Sequence, residues 1–200
     1  IAYLAGQSGY IVAYTEAIDG ELLTGPKILD RVAREFLVGP RVLLAFVEAR
    51  SGWVSGTPGD PAAWDYPAGL ADPSRSGLWR QLNWLADRLN AGYYDWRTRD
   101  ARIITLADGT TLAGPVELGA GSFAVQYALG RQSTEAELAI RLAEFDAAYR
   151  RLFGDPWRGE KAAVDLAGWH FPELSLPFGK SELWWFTGGP HGGWADGSAW

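Results

Sequence analysis

The 200-residue chain contains no cysteine, no methionine and only two histidines. Without cysteine there are no disulfides and no thiolate metal sites. Without methionine, Ile1 is not an encoded start, and the expectation is a piece cut from a longer protein. No apolar run approaches the roughly 18 residues that span a bilayer, and no leader-like segment is visible. Positive charge is also scarce: the net charge is −6, and Arg150-Arg151 is the only adjacent basic pair. A chain of this balance does not neutralise a row of phosphates, which excludes a nucleic-acid binder.

What is present is a globular composition, 48% hydrophobic and 21% charged, enough for one domain with a real core. Aromatic residues are abundant, with 11 Trp and 8 Tyr. Such rings fill cores, and they also offer flat faces for stacking.

Residues 1–20 read as the tail of a preceding segment, punctuated by Gly20. Thr24 and Pro26 then open a helix, with Ile28, Leu29, Val32 and Phe36 at helical spacing. Gly39-Pro40 breaks it and starts another, from Arg41 to about Arg50. Leu43, Leu44, Phe46 and Val47 make that helix apolar nearly all round, so it is expected to be buried. Residues 51–75, rich in Gly, Pro, Ser and Asp, read as a long loop carrying Trp53, Trp64 and Tyr66.

A helix from Ser76 to about Gly92 has the stripe Leu78, Leu82, Leu85, Leu89. Two β-prone runs flank Asp108-Gly109, a hairpin signal. A helix of small residues follows from Gly121 to about Leu129. Thr134 and Glu137 form a capping box for the next helix, which carries Leu138, Leu142, Phe145 and Tyr149 inward. Gly154 and Pro156 stop it. Residues 157–180 lose helical periodicity and read as a connector, and Glu182 to Thr187 is a strand candidate.

Two resemblances follow from these motifs. The segment Leu176-Pro177-Phe178, Trp184-Trp185-Phe186-Thr187-Gly188-Gly189-Pro190-His191-Gly192-Gly193-Trp194 and Gly197-Ser198-Ala199-Trp200 resembles the opening of the M23 family of zinc peptidases, the lysostaphin-like and beta-lytic endopeptidases of bacterial cell walls. The resemblance implies that His191 is the first zinc ligand. The family's Asp ligand and later His-x-His pair have no counterpart here, since Asp196 does not sit where that Asp would. Zinc catalysis needs about three protein ligands and an open water position. Zinc is therefore expected in the complete protein and not in this chain alone. His170 has no partner nearby in sequence.

The stretch from Val38 to Trp53 is similar to the helix that carries the catalytic Glu of lysozyme-like lytic transglycosylases. There, apolar surroundings raise a Glu pKa so that it acts as general acid. Here the residue before Ser51 is Arg50, and Glu48 lies two positions earlier, about 200° around the helix. On this likeness Glu48 is the candidate acid, Gln81 and Gln126 are candidate groove amides, and Asp65, Asp72 and Asp87 are candidate second carboxylates. Trp53, Trp64, Tyr66 and Gln81 are the candidate substrate contacts.

The combined expectation is a mainly α chain. A lysozyme-like helical domain with a small hairpin, residues 21–156, is followed by a connector over 157–180 and the first strand of a truncated, β-rich peptidase domain over 181–200. The expected role is an accessory or positioning region of a secreted, cell-wall-associated zinc endopeptidase, with peptidoglycan as partner. Two alternatives stand beside it: a glycosidase using Glu48, and an inhibitory or folding pro-region.

Overall fold

The structure, a computed structural model, describes residues 3–98, 102–114 and 118–156. These fall in one compact unit, Ile1–Pro156. The connector, the strand candidate, His170 and His191 lie outside the described residues.

The unit is mainly α with two small antiparallel hairpins. Helix α1 (Tyr10–Ala13) leads into strands β1 (Thr15–Ile18) and β2 (Glu21–Thr24), paired from Thr15 opposite Thr24 to Ile18 opposite Glu21. Asp19 and Gly20 make the connection with φ of 52° and 83°. Both central residues are left-handed, the two-residue geometry whose twist matches that of the strands.

Helix α2 (Gly25–Glu35) follows with Pro26 in its first turn, and α3 (Pro40–Ser51) begins on Pro40. A one-turn helix α4 (Ala62–Asp65) sits within the following loop. The long helix α5 (Leu78–Thr98) precedes β3 (Ile103–Thr105) and β4 (Thr111–Ala113), and α6 (Ala120–Gly130) and α7 (Glu135–Phe153) complete the unit.

The apolar stripes find one another. α5 packs on α6 and α2, and α3 packs on α7. Leu43, Phe46 and Val47 of α3, Leu78, Leu82 and Leu85 of α5, Ile28 and Val32 of α2, and Phe123 of α6 are fully buried in one core. Each such side chain contributes about 1.5–3 kcal/mol relative to exposure, which sets the helix positions far more firmly than propensity does. The capping box of α7 is present: the Glu137 carboxylate accepts from the Thr134 amide at 2.9 Å and its hydroxyl at 3.0 Å.

Three expectations are corrected. Residues 3–20 are part of the unit rather than a tail: Leu4, Ile11 and Ile18 are buried in the core, and the Ile11 amide donates to the Trp53 carbonyl at 3.0 Å. Removing these apolar side chains from water holds the segment on the unit. The 51–75 loop holds α4 and a 3-10 turn over Pro73–Arg75. Helix α5 runs past Gly92 to Thr98, because Gly92 is where α6 makes its close approach rather than a stop.

Candidate functional site

Glu48 sits one turn before the end of α3, and its side chain is 1% exposed. A carboxylate so placed must be neutralised or fully hydrogen-bonded. Here it is bonded on all sides. Oε2 accepts from the amides of Val54 at 3.0 Å and Ser55 at 3.1 Å, and Oε1 accepts from the Ser55 hydroxyl. The guanidinium of Arg151, on α7, donates to Oε1 at 2.7 Å. Burial works to raise the Glu48 pKa, but the hydrogen bonds from Ser55 and Arg151 outweigh it, and the net displacement is downward from 4.5. Nearby Tyr3 is pushed up, by burial and by the Glu48 charge.

A general acid has to carry a proton near neutral pH. Glu48 is held as an anion, with its lone pairs committed to the backbone and to a cation. This is the opposite of the raised carboxyl on which the glycosidase expectation depends. The arrangement instead ties the end of α3 to the loop that follows it and to α7.

The expected substrate contacts separate by burial. Trp53 is 0% exposed. Its indole N–H donates to the Ala63 carbonyl at 3.0 Å, and its ring is enclosed by Tyr10 at 4.8 Å and Tyr14 at 4.9 Å. It offers no face to a ligand. Gln81 is also fully buried. Its oxygen accepts from the Leu70 amide at 3.2 Å, and its nitrogen donates to the carbonyls of Leu70 and Arg75, each at 2.8 Å. All its capacity goes into holding the 70–75 segment on α5. Trp64, 42% exposed, stands edge-on against Tyr10 at 4.6 Å, and Tyr66 is half-buried. These two alone of the four present surface.

The candidate carboxylates are scattered. Asp65 accepts from the Ser76 hydroxyl at 3.4 Å, and Asp72 accepts from the amide and hydroxyl of Ser74. Asp87 pairs with Arg88. Gln126 is half-buried on α6. None of them joins Glu48. Among the described residues, no group of three or more His, Asp or Glu side chains lies close enough to hold a metal ion.

Sequence reasoning missed two features. Glu16 of β1 accepts from the Trp79 amide and the Tyr14 hydroxyl, each at 3.0 Å, and so caps α5. Burial and the Glu16 charge push the Tyr14 phenol far up. Nothing local announces a cap supplied from 63 residues away. The second feature is a cleft of about 440 Å³ lined by Phe36, Arg75, Asn83, Trp84, Asp87 and Arg88. Its signal was the spacing of the last four, which share one side of a helix.

No helix among the described residues is long and apolar enough to cross a membrane. Comparison with known proteins gives one family: the model of the LasA N-terminal domain matches residues 2–165. No curated protein and no solved structure matches the chain.

Proposed function

This chain belongs to the LasA N-terminal domain family, and from that premise we propose that it is the accessory, non-catalytic region of a secreted, LasA-like zinc peptidase that acts on bacterial cell-wall peptidoglycan. The observation that carries the reading is the match over residues 2–165. It is supported by the unit over residues 1–156 with its own core, and by a central carboxylate committed to structure rather than chemistry. LasA is an M23-family peptidase, the family that the residues around His191 resemble. The described residues do not fit the zinc that this family implies. On this reading hydrolysis belongs to the peptidase domain, and His191 is that domain's first ligand.

The test compares this chain with a longer polypeptide in which it precedes a peptidase domain. Zinc content and release of peptides from purified peptidoglycan are measured for both, and for the longer form lacking residues 1–156. The reading expects zinc and hydrolysis in the longer form and neither in this chain alone. Hydrolysis by this chain alone, abolished by Glu48→Gln, would overturn it in favour of a glycosidase. Absence of zinc from the longer form would remove the peptidase assignment. The burial of Trp53 and Gln81 takes two of four sugar-facing candidates off the surface, which favours a pro-region role for the loop. A gain of activity on deletion marks an inhibitory pro-region, and a loss of soluble, active enzyme marks a folding one.

A further inference from the structure

The cleft between the end of α2 and the first half of α5 lies apart from Glu48 and its partners. Asn83, Trp84, Asp87 and Arg88 occupy one side of α5, Arg75 approaches from the preceding turn, and Phe36 closes the other wall. Its volume of about 440 Å³ falls in the range of small-ligand sites, roughly 300–1,000 Å³. The Phe36 carbonyl is fixed by the Asn90 amide group at 2.8 Å, so the wall is held in place.

Each polar group on the rim is half used. Asn83 donates to the Trp79 carbonyl at 2.7 Å, which leaves its carbonyl oxygen as an acceptor. Asp87 receives both Arg88 bonds on one oxygen, leaving the other. Arg88 keeps one terminal nitrogen, and Arg75, only 3.7 Å from Asp72 through Nε, keeps its two. Acceptors and donors therefore both stand among the groups that line the cleft with Trp84. The charges balance, with Arg88 on Asp87 and Arg75 on Asp72. A phosphate or polyanion would require an excess of positive charge. A sugar hydroxyl, which donates and accepts at once, matches this mixture of donors and acceptors, and the apolar face of a pyranose ring matches an indole.

Leu37, next to Phe36, is 69% exposed and has φ of +52°. A leucine in the left-handed region is strained where glycine is not. The fold keeps a strained apolar side chain in solvent beside the aromatic wall.

We propose that this cleft is a subsite for a neutral saccharide, with Trp84 as the stacking face and Asn83, Asp87, Arg88 and Arg75 as the hydroxyl partners. The proposal rests on the accessory reading only for the polymer that would present the sugar.

The test uses the 200-residue chain with chitotriose and maltotriose as neutral probes and heparin as an anionic one. Affinity is measured by calorimetry, and the indole N–H signals are followed by NMR. Binding of a neutral probe is expected to shift the indole signal that disappears in Trp84→Phe. Trp84→Ala is expected to weaken binding at least tenfold. Asp87→Asn and Arg88→Gln, at solvent-reaching positions where the fold tolerates exchange, are expected to weaken it several-fold. Ile140→Ala, at an exposed position of α7 that does not line the cleft, is expected to leave it unchanged. The proposal is overturned if neither neutral probe binds, if only heparin binds, or if Trp64→Ala and not Trp84→Ala removes binding. Failure of the peptidase assignment would show instead as a longer polypeptide without zinc, with sugar binding by this chain intact.

Discussion

Truncating Glu48 to alanine tests the account of the central carboxylate. The Val54 amide is fully buried and would lose its acceptor, at about 1–3 kcal/mol for an unsatisfied buried donor. Ser55 is exposed, so its amide and hydroxyl return to water at little cost. Arg151 is 57% exposed, and a solvent-screened pair contributes at most about 1 kcal/mol. Loss of packing adds to these, and Glu48→Ala is expected to cost about 2–4 kcal/mol in total, a large share of the 5–15 kcal/mol of a typical domain. Glu48→Gln keeps one acceptor and sets an N–H against the remaining donors, and about 1–2 kcal/mol is expected.

The sign of the pH dependence follows from the downward displacement from 4.5. A carboxyl with a folded-state pKa below its unfolded value stabilises the fold above the unfolded pKa. That contribution is lost as pH falls through the folded value. The gap between wild type and Glu48→Gln should therefore be full at pH 7, begin to narrow as pH falls through 4.5 and close below the folded-state value. Urea denaturation followed by circular dichroism at a series of pH values measures it. A cost for Glu48→Ala under about 0.5 kcal/mol, or a gap that does not change with pH, would refute the reasoning.

Three further outcomes are expected. Gln81→Leu strands the polar groups of Leu70 and Arg75 and should cost about 2–4 kcal/mol. Hydrogen exchange should then quicken across residues 66–75, and unchanged protection there would argue against the tie. Gly92→Ala places a methyl 2.7 Å from Tyr127 Cβ and 2.9 Å from Ala124 Cα. It should lower stability by about 1–3 kcal/mol through overpacking despite alanine's better helix propensity, and a thermal midpoint above wild type would contradict the close approach. Leu37→Gly relieves the left-handed strain and should stabilise by about 0.5–1 kcal/mol after the entropy of glycine in the unfolded chain is counted. A lower thermal midpoint would mean that Leu37 makes contacts in the fold that its exposure does not reveal.

Local physics made much of the helical plan legible in the sequence. Apolar residues at helical spacing marked α2, α5 and α7, Pro26 and Pro40 marked two helix starts, and Thr134 with Glu137 marked a third. Asp108-Gly109 marked one hairpin. Asp19-Gly20 carries the same signal for the other, but between flanking runs too short to announce strands by their own pattern. Each of these marks acts within about four residues, which is the reach of a helical hydrogen bond or a turn.

The role of each polar side chain was decided beyond that reach. Glu48 sits on an apolar helix in either reading, and only the arrival of Arg151 from 103 residues away, with the folding back of Val54 and Ser55, makes it an anion rather than an acid. Trp53 and Trp64 carry the same indole in the same loop. The packing of Tyr10 and Tyr14 buries one, and the other stays at the surface. Burial and charge pairing belong to whichever segments meet, and a chain's local preferences do not record which those are.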